Sequence, residues 1–365
     1  MGTKKFIVVL RRDKYEDMVD TYYCWNSFIS DYIYGTNAQE TYTEEQLEEA
    51  VQKIIDTYGD IPEIVEWYIC DEPPRRNCNN LAKVMKAFQK LDPSRPLNVN
   101  HFYGAGERYY HHLESYLTKA EYDMISFDRY ELVGYVPRLN GNEYYDSMLV
   151  VSDFATRYDI TPGMINQMST YRVFDVYRSN MYEEQIRWED NLCLAYGYKF
   201  ISKFTMFNMR MCEQLPDIFE GGLFDTEWKP TKSYYAMKNV APKILAHGNL
   251  LLPKKFEMVY HINTSEYLGA PKYIPFGDLG EIEGENAVIG FFDDGTFILT
   301  NNVFSTGAPM NTITIGEYNG TSLEWYDTSD ETWKGALECE NITLTERGYK
   351  ISLLPGDAEV FRVVK

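Results

Sequence analysis

The sequence predicts an α/β chain: a TIM-type (β/α) barrel followed by a small all-β sandwich. Three observations predict it. Over the first two thirds, short apolar runs alternate with amphipathic stretches, the rhythm of parallel strands joined by helical crossovers. No Gly-rich phosphate loop follows any of these runs, and Phe6–Leu10 leads into Arg11-Arg12-Asp13, which argues against a nucleotide-binding doubly wound sheet. After about Pro253 the texture changes to short strand-like runs separated by Gly, Asn, Asp and Thr. With 365 residues the chain suits one large domain and one small one. The expected division is a barrel over 1–245 and a sandwich over 253–365, joined through Pro242–Pro253.

The elements follow in order. Phe6–Leu10 is a β-branched run of the kind buried on both faces. A helix is expected over Asp13–Ser30. Thr43-Glu44-Glu45-Gln46 is a capping-box signature, opening a helix that runs to about Tyr58. Ile64–Cys70 is a strand that ends in Asp71-Glu72-Pro73-Pro74. Helices over 80–91, 109–119, 147–157 and 183–196 alternate with strands over 97–102, 122–127, 163–168 and 200–207. Gly197 is a normal residue after a helix end. Beyond Pro253, strands are expected at 256–261, 287–292, 296–301, 312–315, 323–326, 349–353 and 359–364, with Asp293-Asp294-Gly295 as a tight turn. Six barrel-type strands are found where a closed barrel has eight. Either the chain lacks one or two β/α units at its N-terminus, or strands hide in loops such as 32–35.

The formal net charge of −20 argues against a nucleic-acid or anionic-membrane partner. Six Cys show no CxxC pair and five His no HExxH, so neither a metal site nor a cofactor is expected. The N-terminal apolar run is too short for a signal or membrane segment, which makes the cytoplasm the default unless a secretion signal has been removed. The 31 Tyr suit a carbohydrate cleft as well as a core, because a Tyr face stacks on sugar CH groups while its hydroxyl bonds polar partners.

Parallel α/β folds carry their chemistry at the carboxyl ends of the strands. Those ends supply Asp71 and Glu72; Asn100, His101 and Tyr103; Asp128 and Tyr130; Gln167 and Tyr171; and Phe207 with Asn208. Glu72 is the sharpest candidate. A carboxyl group beside Asp71 and the apolar Trp67, Tyr68 and Ile69 is expected to hold its proton, as a neutral-pH general acid must. The competing reading pairs it with Arg75 or Arg76. Asp71 reads as a positioning residue, since neighbouring strand residues face opposite ways. Asn100, His101 and Gln167 read as hydroxyl binders or loop braces, and Trp67 and Trp188 as core.

Trp67-Tyr68-Ile69-Cys70-Asp71-Glu72-Pro73 resembles the strand and Asp-Glu-Pro signature of glycoside-hydrolase-like barrel proteins of the beta-galactosidase-like and cellulase-like superfamily. Asp92-Pro93-x-Arg95-Pro96, the stretch from Asp123 to Tyr130, Ala195-Tyr196-Gly197 and Leu354–Phe361 fit the same order. The resemblance implies a glycosidase with Glu72 as acid/base. It also implies a nucleophilic Glu after a later strand, where this sequence has Gln167. A Gln cannot attack an anomeric carbon. Asp128 is then the best second carboxylate, as base or nucleophile, the alternative being a sugar-hydroxyl or Arg129 partner. Three functions stay open: hydrolysis of a neutral oligo- or polysaccharide, carbohydrate binding without catalysis, and hydrolysis of another bond on the same barrel.

Overall fold

The computed structural model describes the chain apart from residues 1–5, 10–26, 35–41, 63, 120, 140, 142, 171, 174–175, 180, 207–208, 213–214, 220, 226 and 265–268. Most of the helix expected over 13–30 therefore lies outside the described residues. Two compact units are formed, one from Met1–Asp128 with Asp153–Gly163, the other from Arg129–Ser152 with Met164–Lys365.

The first unit alternates strand and helix: β1 (Phe6–Val9), α1 (Ser27–Tyr34), α2 (Glu44–Tyr58), β2 (Ile64–Asp71), α3 (Cys78–Leu91), β3 (Leu97–Phe102), α4 (Gly106–Leu117) and β4 (Met124–Asp128). β1 to β4 pair in parallel and in chain order. The capping box at α2 is present, with the Gln46 N–H donating to Thr43 and the Thr43 N–H to the Gln46 side chain. α3 buries Leu81, Val84, Met85 and Phe88 at helical spacing. Burying each is worth roughly 1.5–3 kcal/mol. Trp67, on the helix side of β2, is fully buried against Phe88, and its Nε1 donates to Asp92 at 2.9 Å. Arg95 donates to Asp92 at 2.7 Å and to the Ile64 carbonyl at 3.0 Å. The Asp-Pro-x-Arg motif is thus a brace beneath β2.

α5 (Tyr144–Tyr158) and β7 (Thr161–Gln167) run through both units. In the first, the Thr161 N–H bonds the Asp123 carbonyl; in the second, the Met168 N–H after β7 bonds the carbonyl of Phe204 at the end of β10 (Phe200–Phe204). The parallel sheet has the order β1-β2-β3-β4-β7-β10, six strands among the described residues, matching the number expected. Short hairpins leave its strand ends: β5 (Leu132–Val133) with β6 (Arg138–Leu139), β8 (Arg172–Val173) with β9 (Val176–Tyr177), and β11 (Met209–Cys212) with β12 (Leu215–Phe219).

The second unit also holds α6 (Glu183–Ala195), α7 (Lys232–Leu251) and ten antiparallel strands: β13 (Phe256–Ile262), β14 (Ile282–Glu283), β15 (Ala287–Phe292), β16 (Thr296–Asn301), β17 (Asn311–Ile315), β18 (Ser322–Asp327), β19 (Thr332–Gly335), β20 (Ile342–Thr345), β21 (Gly348–Leu353) and β22 (Ala358–Val364). They form two sheets, β13-β15-β16-β22-β18-β19 and β14-β17-β21-β20, around one apolar core that includes Ile289, Leu299, Ile313, Ile351 and Phe361. This is the expected sandwich, and all seven expected runs fall on its strands. α6 packs on it closely enough that a Cβ on Gly290 would sit 2.0 Å from the Ala195 carbonyl oxygen. Gly197, at φ +78°, ends α6 as its sequence position implies. Pro242 lies inside α7, so the expected junction is mostly helix. Among the described residues no helix is long and apolar enough to cross a membrane.

Candidate active site

The carboxyl ends of β2, β3 and β4 bring Asp71, Glu72, Asn100 and Asp128 together. The β2–β3 register shifts between Tyr68 and Cys70, and beyond the shift Asp71 sits beside Asn100. β4 places Ser126 on the other side of Asn100. The Asn100 amide nitrogen donates to Asp71 at 2.9 Å and to Asp128 at 2.6 Å. Its oxygen accepts from the Ser126 hydroxyl at 3.1 Å. Asp71 accepts a second bond from the Tyr68 hydroxyl at 2.9 Å, and its backbone carbonyl accepts from Tyr34. Asn100 is fully buried, whereas Asp71 and Asp128 are half-buried.

Glu72 follows at once, exposed, at φ +48°. This left-handed turn breaks strand alternation, and the Glu72 N–H bonds the Asn100 carbonyl at 2.8 Å. The apolar neighbours expected to desolvate Glu72 do not cover it. Trp67 and Ile69 are themselves fully buried, and Trp67 faces α3.

The next strand position turns the other way. His101 has no accessible surface and packs edge-on against Tyr116 at 4.9 Å and His112 at 6.0 Å. Burial, helped by the His112 charge, pushes its pKa down to about 3, so the ring is neutral. No atom of His101 is in reach of solvent, unlike Tyr103, which is exposed and stacked on Phe102 at 4.4 Å. Deeper on the Asn100 face, Asn98 donates to the buried Glu66 at 3.1 Å.

In the second unit, Tyr130 is half-buried and stacks on Phe204 at 5.5 Å. Arg129 donates to Glu131 and, at 2.8 Å, to Ser147. Gln167 is fully buried; its amide donates to the carbonyls of Ser179 at 3.0 Å and Leu132 at 3.3 Å. It thus ties β7 to the segments around it. Tyr171 and Phe207 lie outside the described residues. Sequence reading missed Tyr34, Tyr68 and Ser126. Ser126 was within reach, two residues before Asp128 on the same strand face. Tyr68 was not, because the register shift brings it onto the face of Asp71. Among the described residues, no three His, Cys, Asp or Glu side chains are grouped to hold a metal.

The arrangement offers an exposed acid, two half-buried carboxylates and an aromatic pair at the strand ends of a parallel sheet. Among solved structures, the chain matches a protein described as a glycoside hydrolase with a TM-score of 0.52 and 12% identity, over 88% of this chain and 69% of that one. It matches a glycoside hydrolase family 5 protein from Bacteroides vulgatus with a TM-score of 0.52 and 13% identity, over 90% and 68%. The chain has the barrel-and-sandwich fold of glycoside hydrolases. A beta-galactosidase from the psychrophilic Marinomonas ef1 is similar at a TM-score of 0.44 and 10% identity, over 63% of this chain and 46% of that one. No protein-family model and no curated protein sequence matches the chain.

Proposed function

We propose that the chain is a glycoside hydrolase acting on a neutral oligo- or polysaccharide, with its barrel over 1–245 and its sandwich over 253–365. Glu72 is the general acid that protonates the leaving oxygen. The observation that carries this reading is the grouping of Glu72, Asp71 and Asp128 around one buried amide at the ends of adjacent parallel strands. Asp128 serves as the second carboxylate, the base on a water in an inverting reaction or the nucleophile in a retaining one. Those roles call for carboxyl separations of about 6.5–9.5 Å and about 5–5.5 Å respectively. The exposed Phe102–Tyr103 stack at the end of β3 supports a sugar platform.

The test is hydrolysis of a panel of oligosaccharides and methyl glycosides, whose leaving oxygens need a proton, by the wild type and by Glu72→Gln. Removing a general acid is expected to lower kcat/KM about 10²–10⁴-fold. Turnover unaffected by the substitution would remove Glu72 from the mechanism. No turnover by the wild type, with sugar binding retained, would favour a non-catalytic carbohydrate-binding barrel, the reading that the buried Gln167 supports. The anomer first released, followed by proton NMR, assigns Asp128 to inversion or retention.

A further inference from the structure

Asn100 stands at the centre of the strand-end network and is built unlike a ligand contact. A hydroxyl-binding Asn keeps an N–H free to point at the sugar. Here both hydrogens of the single amide nitrogen are committed, one to Asp71 on β2 and one to Asp128 on β4. The oxygen is engaged by Ser126. The side chain has no accessible surface. Its backbone carbonyl holds the N–H of Glu72 at 2.8 Å. One residue therefore touches all three acids of the site, two through its amide and one through its backbone.

We infer that Asn100 is a positioning residue that orders the three acids and holds the Asp71 and Asp128 carboxyls side by side. This rests on the proposed glycosidase reading for its effect on turnover, but not for its effect on the carboxylates. The physical reason is the charge of the donors. Two carboxylates held on one centre repel, and an N–H donor between them offsets part of that repulsion. A neutral amide supplies two N–H dipoles and adds no negative charge. An Asp at the same place, of equal size, would supply neither hydrogen and a third carboxyl. Among the described residues, this network includes the titratable groups Asp71 and Tyr68 from β2, Tyr34 from α1, Glu72 beyond β2, and Asp128 from β4. The role differs from hydroxyl binding, the role Asn100 suggests in sequence, because it predicts an effect on the chemical step rather than on affinity.

The experiment uses the full chain, with wild type, Asn100→Ala and the isosteric Asn100→Asp. On any glycoside of that panel that the wild type hydrolyses, Asn100→Ala is expected to lower kcat about 100-fold with KM within about threefold, the loss expected of misplaced groups. A raised KM at unchanged kcat would make Asn100 a substrate contact and overturn the inference. In parallel, the carboxyl carbons of 13C-labelled Asp are followed by NMR against pH, with Asp71→Asn and Asp128→Asn assigning the signals. Asn100→Asp is expected to make the cluster hold one proton to at least one pH unit above the wild type. Superimposable titrations of Asp71 and Asp128 in the two proteins would overturn the inference. If the wild type hydrolyses no glycoside, the proposed function fails, and the titration still decides the role of Asn100. Because Asn100→Asp preserves shape, it stays readable where Asn100→Ala fails to fold.

Discussion

Replacing Glu66 by Gln is expected to stabilise the protein at alkaline pH and leave it almost unchanged in acid. Glu66 lies on β2 with 2% of its surface exposed, and its carboxylate accepts from the amide of Asn98 at 3.1 Å. Burial lifts its pKa from 4.5 to about 7, the Asn98 hydrogen bond pulling part of the way back. Between those values the folded chain holds a proton that the unfolded chain has released. Stability therefore falls as pH rises through that window, and the full penalty is present above pH 7. At about 1.4 kcal/mol per pH unit the gap corresponds to about 3 kcal/mol. Gln keeps the acceptor and carries no charge. It also brings an N–H to the Asn98 oxygen, which is buried and without a hydrogen-bond partner. Thermal unfolding of wild type and Glu66→Gln at pH 4.5 and pH 8 measures the effect. A chain of this length shifts by about 1–2 °C per kcal/mol, so the variant should melt about 3–6 °C higher at pH 8 and within about 1 °C at pH 4.5. An equal difference at both pH values, or a lower midpoint at pH 8, would refute the reasoning.

Two further outcomes test the packing of the second unit. Gly290→Ala drives a methyl group into the Ala195 carbonyl of α6 and is expected to cost about 3 kcal/mol or more, seen as a lower melting temperature or loss of soluble protein. Lys243 donates to Asp357 at 3.0 Å and to Glu359 at 2.7 Å. Lys243→Met strands two buried acids and should cost about 3–5 kcal/mol at pH 7, less in acid, where the Glu359 carboxyl that burial pushes up takes up a proton, as urea unfolding at pH 7 and in acid would show.

Wherever one local rule decides an element, the sequence made it legible. Thr43 and Gln46 announced the start of α2, Gly197 the end of α6, and short apolar runs between clusters of Gly, Asn, Asp and Thr marked the sandwich strands. The strand ends, and with them Asp71, Glu72, Asn100 and Asp128, followed from the parallel rhythm alone. What stayed hidden depends on register. The shift between Tyr68 and Cys70 sets Asp71 beside Asn100, and no periodicity encodes it. The same lack of pattern concealed the hairpins β5–β6 and β8–β9, whose strands are two residues long. His101 read as a hydroxyl binder or loop brace because it stands at a strand end beside Asn100, but adjacency on a strand separates side chains, and His101 is buried on the opposite face. Pro242 read as the start of the junction between barrel and sandwich, yet α7 passes through it, so a helix of 20 residues absorbs a residue that its local propensity opposes.

The left-handed turn at Glu72 bears on selection as well as geometry. A side-chain-bearing residue at φ +48° costs of order 1–2 kcal/mol, and Gly at the same place costs almost nothing. Drift at this position therefore runs downhill in free energy toward residues that cannot donate a proton. A lineage that only bound its glycan would have a standing reason to discard the acid and no reason to restore it. With Glu72 as the acid proposed above, retaining Glu here sets stability against activity at a single codon, which makes position 72 the first to compare between related proteins that hydrolyse glycans and ones that only bind them.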